Sequence, residues 1–304
     1  MTLELWRFFF CFSVVMMHLC VRLDVKLFSA GYLSVEFFFL LTGYGAGMFY
    51  IKRLARQPLP RRMKGIVTYA RGRIQKLYPQ YALAVFIMFV FHVFWDRLGL
   101  NGSVQAIKEG WQEFLWLQCQ PHGGNIQVVS DWYVPAMFWG SLFVLLVMCI
   151  AGKRLAMIVC PLLSLAGYAY FFKLICKIDV IFSYYPVIRA IAGISLGAFI
   201  CLVTKWLSDK EICLGPRLST ALYVFANLLL VAMFAMTHFG HRGWTDFLFI
   251  AIFALCIFIL LWIKLPLPQK AEALFGRLGS VTYSIYIFHL PIIDIVLTLC
   301  GRSF

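Results

Sequence analysis

Nine runs of mostly apolar residues, each of roughly membrane-spanning length, alternate with polar connections along this chain. They cover residues 5–20, 33–51, 77–95, 132–150, 155–172, 186–203, 218–237, 247–263 and 281–299. The connections differ in kind. Residues 21–32 are short and polar, 151–154 form a tight turn, 52–76 are strongly basic, and 96–131 are long, polar and rich in aromatics. Within the long connection, residues 104–117 (VQAIKEGWQEFLWL) have the pattern of a short amphipathic helix lying at an interface. That segment, or 174–187, leaves room for a tenth re-entrant or half-length span. The pattern predicts an all-α polytopic membrane bundle of about 9–10 transmembrane helices, with residues 1–304 as one transmembrane domain and no appended soluble domain.

Composition strengthens that reading. The chain is 62% hydrophobic and 13% charged, against about 25% charged residues in an average soluble domain. The first run is not expected to be a cleaved signal, because Arg7 interrupts it and no small-residue cleavage site follows. The net charge of +14 raises the question of nucleic acid, but its placement argues against such a partner. Nine Lys/Arg and no acid lie between Lys52 and Lys76, as expected of a loop held on the cytoplasmic side. With the amino terminus inside, the inner loops carry 17 Lys/Arg and the outer segments eight. The ten cysteines are scattered, mostly within apolar runs, without metal-ligand or disulfide spacing, so no metal is expected.

Polar residues inside apolar runs are where chemistry is expected. Arg7 and His18 lie eleven helical steps of about 100° apart, hence on one face and about 16 Å apart along the axis. Either they point into a wet protein interior, or Arg7 snorkels to one interface while His18 bonds at the other. Glu36 opens the second run and shares a face with Leu40, Gly43 and Gly47; either it pairs with Arg7 or His18 of the preceding helix, or it lies at the interface near the outer headgroups. Gly43 and Gly47 form a G-x-x-x-G on which another helix can pack closely. Arg73 and Lys76 share a face as the chain enters the third run, with Pro79 expected in that helix's first turn. Such a cluster, with Arg71, suits a phosphorylated donor, although topology-setting charge accounts for most of the loop. In the last run Thr282, Tyr286 and His289 form a polar line that either packs or binds a ligand.

Four segments occurring in order carry a family resemblance. They are Arg7-x10-His18; residues 31–44 (GYLSVEFFFLLTGY); Arg73-x-x-Lys76-Leu-Tyr-Pro79; and residues 279–291 (GSVTYSIYIFHLP). Together they resemble the acyltransferase-3 family of membrane O-acyltransferases. The resemblance implies a bundle of about ten helices that takes an acyl group, usually acetyl, from cytoplasmic acyl-coenzyme A. The implied acceptor is a hydroxyl of a cell-surface or lipid-linked carbohydrate. It casts His18 as catalytic base or acyl relay and Arg7 as its companion, with acetyl-coenzyme A bound by Arg71, Arg73 and Lys76. Thr42-Gly43-Tyr44 resembles the family's S-G-F, and Arg189 the arginine that opens a later span.

Departures from the family pattern direct attention elsewhere. Lys76 stands where a second arginine is usual and lacks its bidentate fork. The segment beginning Trp132-Tyr133 resembles a W-Y-x-x-A-M variant associated with capsule and exopolysaccharide acetyltransferases, and it has Met137 where many members have glutamate. Asp131 and Glu36 are therefore the candidate carboxylate partners of His18. Thr42, Gly43, Tyr44, Asp131, Trp132, Arg189, Tyr286 and His289 are expected to line the substrate path. The implied home is a bacterial cytoplasmic membrane, with membrane lipid around the chain and either a homo-oligomer or a separate extracytoplasmic partner beside it. The alternative is a transporter or flippase for a glycan or small anion, with Arg7, Glu36 and His18 as relay groups. Against it, the chain shows no internal repeat.

Overall fold

In the computed structural model, which describes residues 2–95, 99–119, 132–174, 176–181, 183–239 and 243–301, the apolar runs are helical. In chain order these are α1 (Thr2–Arg22), α2 (Ser34–Phe49), α3 (Leu59–Trp95), α4 (Leu100–Phe114), α5 (Tyr133–Leu174), α6 (Tyr185–Asp209), α7 (Pro216–Met236), α8 (Thr245–Trp262) and α9 (Gln269–Leu299). Among the described residues there is no strand. Eight of the helices, all but the short α4, are long and apolar enough to cross a membrane. The protein is an all-α, multi-pass membrane bundle.

At 42 residues, α5 would extend about 63 Å as one rod, twice a hydrocarbon core. It is two helices. Gly152 has φ 73° and ψ 169°, a conformation that ends an α-helix and that glycine adopts without a side-chain penalty. Gly140 packs against Ala190 and Ile194, and Gly167 against Ala192 and Ile188. Positions on either side of Gly152 can meet the same level of α6 only if the chain doubles back there.

Contacts between the other helices agree. Along α1 and α9, Cys11 Sγ meets the Thr282 carbonyl at 3.4 Å, the His18 and His289 rings lie 5.2 Å apart, and Arg22 pairs with Asp294 at 2.8 Å. Both residue numbers rise together, so the two helices are parallel. The same holds for α1 with α7 (Thr2 to Tyr223, Trp6 to Asn227) and for α2 with α6 (Glu36 to Arg189, Gly43 to Ile194, Gly47 to Cys201). In an up-and-down chain these pairs are parallel only if α5 counts as two crossings. The nine apolar runs of the sequence are thereby nine crossings among the described residues. The end carrying the start of α1 and the basic connection is called the basic end below.

α2 and α6 cross most closely. A Cβ on Gly43 would overlap the Ile194 carbonyl, and one on Gly197 the Leu40 carbonyl. The expected G-x-x-x-G contact is thus made by α2 on α6, with small residues on both sides. Two expectations need correction. The helix that carries the third apolar run starts at Leu59, well before Leu77, so most of the basic connection is helical and Pro79 sits in the helix interior instead of its first turn. Membrane helices tolerate such a proline when neighbouring groups satisfy the freed carbonyl. Arg62 braces this basic helix, donating to the carbonyls of Gln57, Ala55 and Cys149 at 2.7, 3.1 and 3.0 Å. The amphipathic helix also begins earlier than its pattern suggested, at Leu100, and packs on α3 where Tyr81 donates to the Glu113 carbonyl.

Candidate functional site

Glu36 opens α2, and the close α2–α6 crossing sets it opposite Arg189. Arg189 Nε donates to Glu36 Oε1 at 2.5 Å, Tyr168 donates to Oε2 at 2.6 Å, and Arg189 Nη2 donates to the Tyr32 carbonyl at 2.9 Å. Both charged side chains are completely buried, and the guanidinium stacks 5.3 Å from the Trp132 ring centre. Both Glu36 oxygens are therefore engaged, and neither meets Arg7 or His18. The expectation that Glu36 pairs with them is overturned: the α2–α6 crossing faces away from the helix that carries His18. Trp132 and Arg189 belong to this buried cluster rather than to the cavity wall. Asp131 lies outside the described residues.

A cavity of about 440 Å³ opens between α1, α2, α3, α5, α8 and α9. Glu4, Arg7, Gly45, Tyr44, Arg73 and Lys76 line it towards the basic end, and Phe38, Thr42, Tyr133, Met137, Thr282, Tyr283 and Tyr286 line it deeper. Its size falls in the range of small-molecule sites. Arg73 and Lys76 reach it together because three residues turn a helix by about 300° and keep them on one face. Arg71, two residues from Arg73, is turned by about 200°; it is exposed and does not line the cavity. Arg73 is aimed by Tyr69, whose hydroxyl accepts from Nε at 3.0 Å.

Arg7 is held from its own helix. Its Nη1 donates to Glu4 Oε2 at 2.6 Å, and both side chains are about one-third exposed. Glu4 in turn lies against Gly279, where a Cβ would collide with its carboxylate. Glu4 was missed from sequence, although its position three residues before Arg7 was a visible signal. Gly43 serves the helix crossing instead of the cavity wall.

The floor of the cavity is aromatic. Tyr286 lies 5.1 Å from Tyr133 on one side and 5.6 Å from His289 on the other, edge to face with the first. His289 is buried and His18 half-buried, with their rings 5.2 Å apart. Neither histidine lines the cavity; Tyr286, one turn below His289, separates them from it. One turn beyond the histidines, Arg22 grips both oxygens of Asp294 at 2.8 and 3.2 Å. Arg7 and His18 thus mark two levels: the first faces the cavity and the second a polar cluster between α1 and α9. Among the described residues no group of three or more His, Cys, Asp or Glu converges as metal ligands would.

A family model described as an acyltransferase domain matches residues 2–302, nearly the whole chain. The chain belongs to the acyltransferase-3 family. No curated protein and no solved structure gave a significant match. Membership makes the bundle a membrane acyltransferase, and the acyltransferase-3 match includes the cavity, the buried ion pair and the paired histidines alike. Tyr168 closes the buried pair and carried no signal in the sequence, because it reaches Glu36 from a distant helix without sharing a period with it. Tyr32 and Tyr133 lay within the family-like segments, but their contacts across the bundle could not be read there.

Proposed function

We propose that this membrane acyltransferase moves an acetyl group from acetyl-coenzyme A to a hydroxyl of a cell-surface or lipid-linked carbohydrate. The observation that carries the reading is the cavity at the basic end, walled by Arg7, Arg73 and Lys76 at one level and by tyrosines and threonines at the next. Guanidinium and ammonium groups suit the donor's phosphates, and the apolar and hydroxyl-bearing depth suits the acyl chain and thioester. The excess of Lys/Arg on the connections at this end supports a cytoplasmic amino terminus in a bacterial cytoplasmic membrane, where the donor is available.

In the transfer, an imidazole takes the proton of the acceptor hydroxyl as its oxygen attacks the thioester carbonyl. The new C–O ester bond forms, the C–S bond breaks, and the departing thiolate receives the proton to leave as free coenzyme A. His18 is the imidazole assigned to this role, either directly or through an acyl-imidazole that the hydroxyl then attacks. Its half-buried position beyond the cavity floor supports approach by an acceptor from the far end of the bundle. Tyr286 and Tyr133 stand between donor and acceptor levels and must turn aside, or hydrogen-bond to the reacting carbonyl, as transfer occurs.

The reading is tested in a strain lacking the protein. Loss of O-acetyl groups from the surface glycan, with glycan quantity unchanged, is the expected result. Loss of the whole glycan would instead indicate transport.

A further inference from the structure

His289 resolves a question that the buried carboxylates leave open: what orients His18. Among the described residues, three carboxylates around α1 and α9 are committed. Glu4 binds Arg7, Glu36 binds Arg189 and Tyr168, and Asp294 is gripped by Arg22. Met137 offers no acceptor oxygen of the kind a glutamate would. The group that does face His18 is an imidazole, with ring centres 5.2 Å apart.

Its protonation pattern follows from one contact. His289 Nδ1 lies 2.5 Å from the backbone carbonyl of Tyr286. A carbonyl oxygen only accepts, so Nδ1 carries the proton, and in the neutral ring Nε2 is a bare acceptor. His289 is only 4% exposed, and its Nε2 has no hydrogen-bond partner. A buried acceptor without a partner costs free energy unless something donates to it during function.

We propose that His289 is the positioning residue for His18, with its bare Nε2 accepting the N–H of the His18 ring. This contact forms when the two tilted rings, now 42° apart, turn toward each other as the acceptor binds. It leaves the other nitrogen of His18 unprotonated and aimed at the acceptor hydroxyl. When that nitrogen takes the hydroxyl proton, the resulting imidazolium is stabilised by the same hydrogen bond, and the proton passes from His18 to the leaving thiolate. An imidazole thereby fills the place that a carboxylate holds beside a catalytic histidine in other hydrolytic and transfer sites. The inference rests on the acyl-transfer reading above and adds to it the partner of the base.

The two polar substitutions of His289 separate positioning from simple packing. Glutamine sets its amide oxygen near the place of Nε2 and gives up the bond to Tyr286. Asparagine keeps a donor near Nδ1 for the Tyr286 carbonyl and gives up the Nε2 acceptor. The full chain in native membranes, with [14C]acetyl-coenzyme A and the membranes' own carbohydrate, gives kcat and the KM for the donor, with expression and gel-filtration profile matched. The expected result is that His289→Asn lowers kcat by about tenfold or more while the donor KM stays within about twofold, and His289→Gln retains most of the activity. If His289→Asn matches wild type, or if His289→Gln falls as far as or further than His289→Asn, the residue only packs and the inference is overturned. A donor KM that rises at constant kcat would overturn it too, because His289 would then serve donor binding. Absence of label in carbohydrate with the wild type would overturn the acyl-transfer reading itself, an outcome visible without any variant.

Discussion

The buried Glu36–Arg189 pair allows a double-mutant cycle whose signs are fixed by the geometry. Both side chains have no exposure, and the pair is closed by Tyr168 on one oxygen and by the Tyr32 carbonyl on the guanidinium. Glu36→Gln keeps the shape and the Tyr168 contact but leaves an uncompensated guanidinium in the bundle interior. Arg189→Met keeps much of the volume but leaves a carboxylate with only Tyr168. Removing one member of a buried pair costs about 3–5 kcal/mol, whereas replacing both members with groups of similar volume is often close to neutral. The double variant still leaves the Tyr32 carbonyl without its donor, at about 1–3 kcal/mol. It is therefore expected to be more stable than either single variant, with a coupling energy of at least about 3 kcal/mol. Unfolding in mixed micelles, followed by tryptophan fluorescence under identical lipid and detergent ratios, gives the four free energies. Additive single effects, or single variants within about 1 kcal/mol of wild type, would refute the claim that these charges compensate each other out of contact with water.

Three further outcomes follow from particular contacts. Gly43→Ala sets a methyl into the Ile194 carbonyl at the α2–α6 crossing and is expected to destabilise the bundle by about 1–3 kcal/mol, read from the same unfolding curves. Arg73→Ala removes a cation from the cavity mouth and should raise the KM for acetyl-coenzyme A by about 10- to 100-fold, the worth of a charged hydrogen bond, with Arg71→Ala closer to wild type. Gly279→Ala pushes Glu4 off Arg7; donor KM should rise several-fold while the unfolding midpoint moves little, and an unchanged KM would show that Glu4 does not aim Arg7.

The crossings were legible because each apolar run is long, and the turn at Gly152 was visible as a break of four residues between two runs. The face shared by Arg73 and Lys76 was legible for the same reason: both lie on one helix, and helical period decides their relation. What sequence could not supply is which helices touch. Glu36 was expected to meet the preceding helix, yet the small residues Gly43 and Gly197 bring α2 onto α6, more than 150 positions away, and hand Glu36 to Arg189. Local periodicity carries no information about such a distant pairing. The His18–His289 approach was hidden likewise, since it depends on α1 and α9 running parallel at opposite ends of the chain. Pro79 misled in the other direction, because a membrane helix tolerates proline in its interior as well as in its first turn.

The most direct test of the central claim is transfer of radiolabelled acetyl from acetyl-coenzyme A to carbohydrate in native membranes, comparing wild type with His18→Ala at equal expression. Label entering carbohydrate with the wild type and falling by about 100-fold or more in the variant is the expected result. Equal transfer by the two proteins would contradict the assignment of the reacting imidazole to His18.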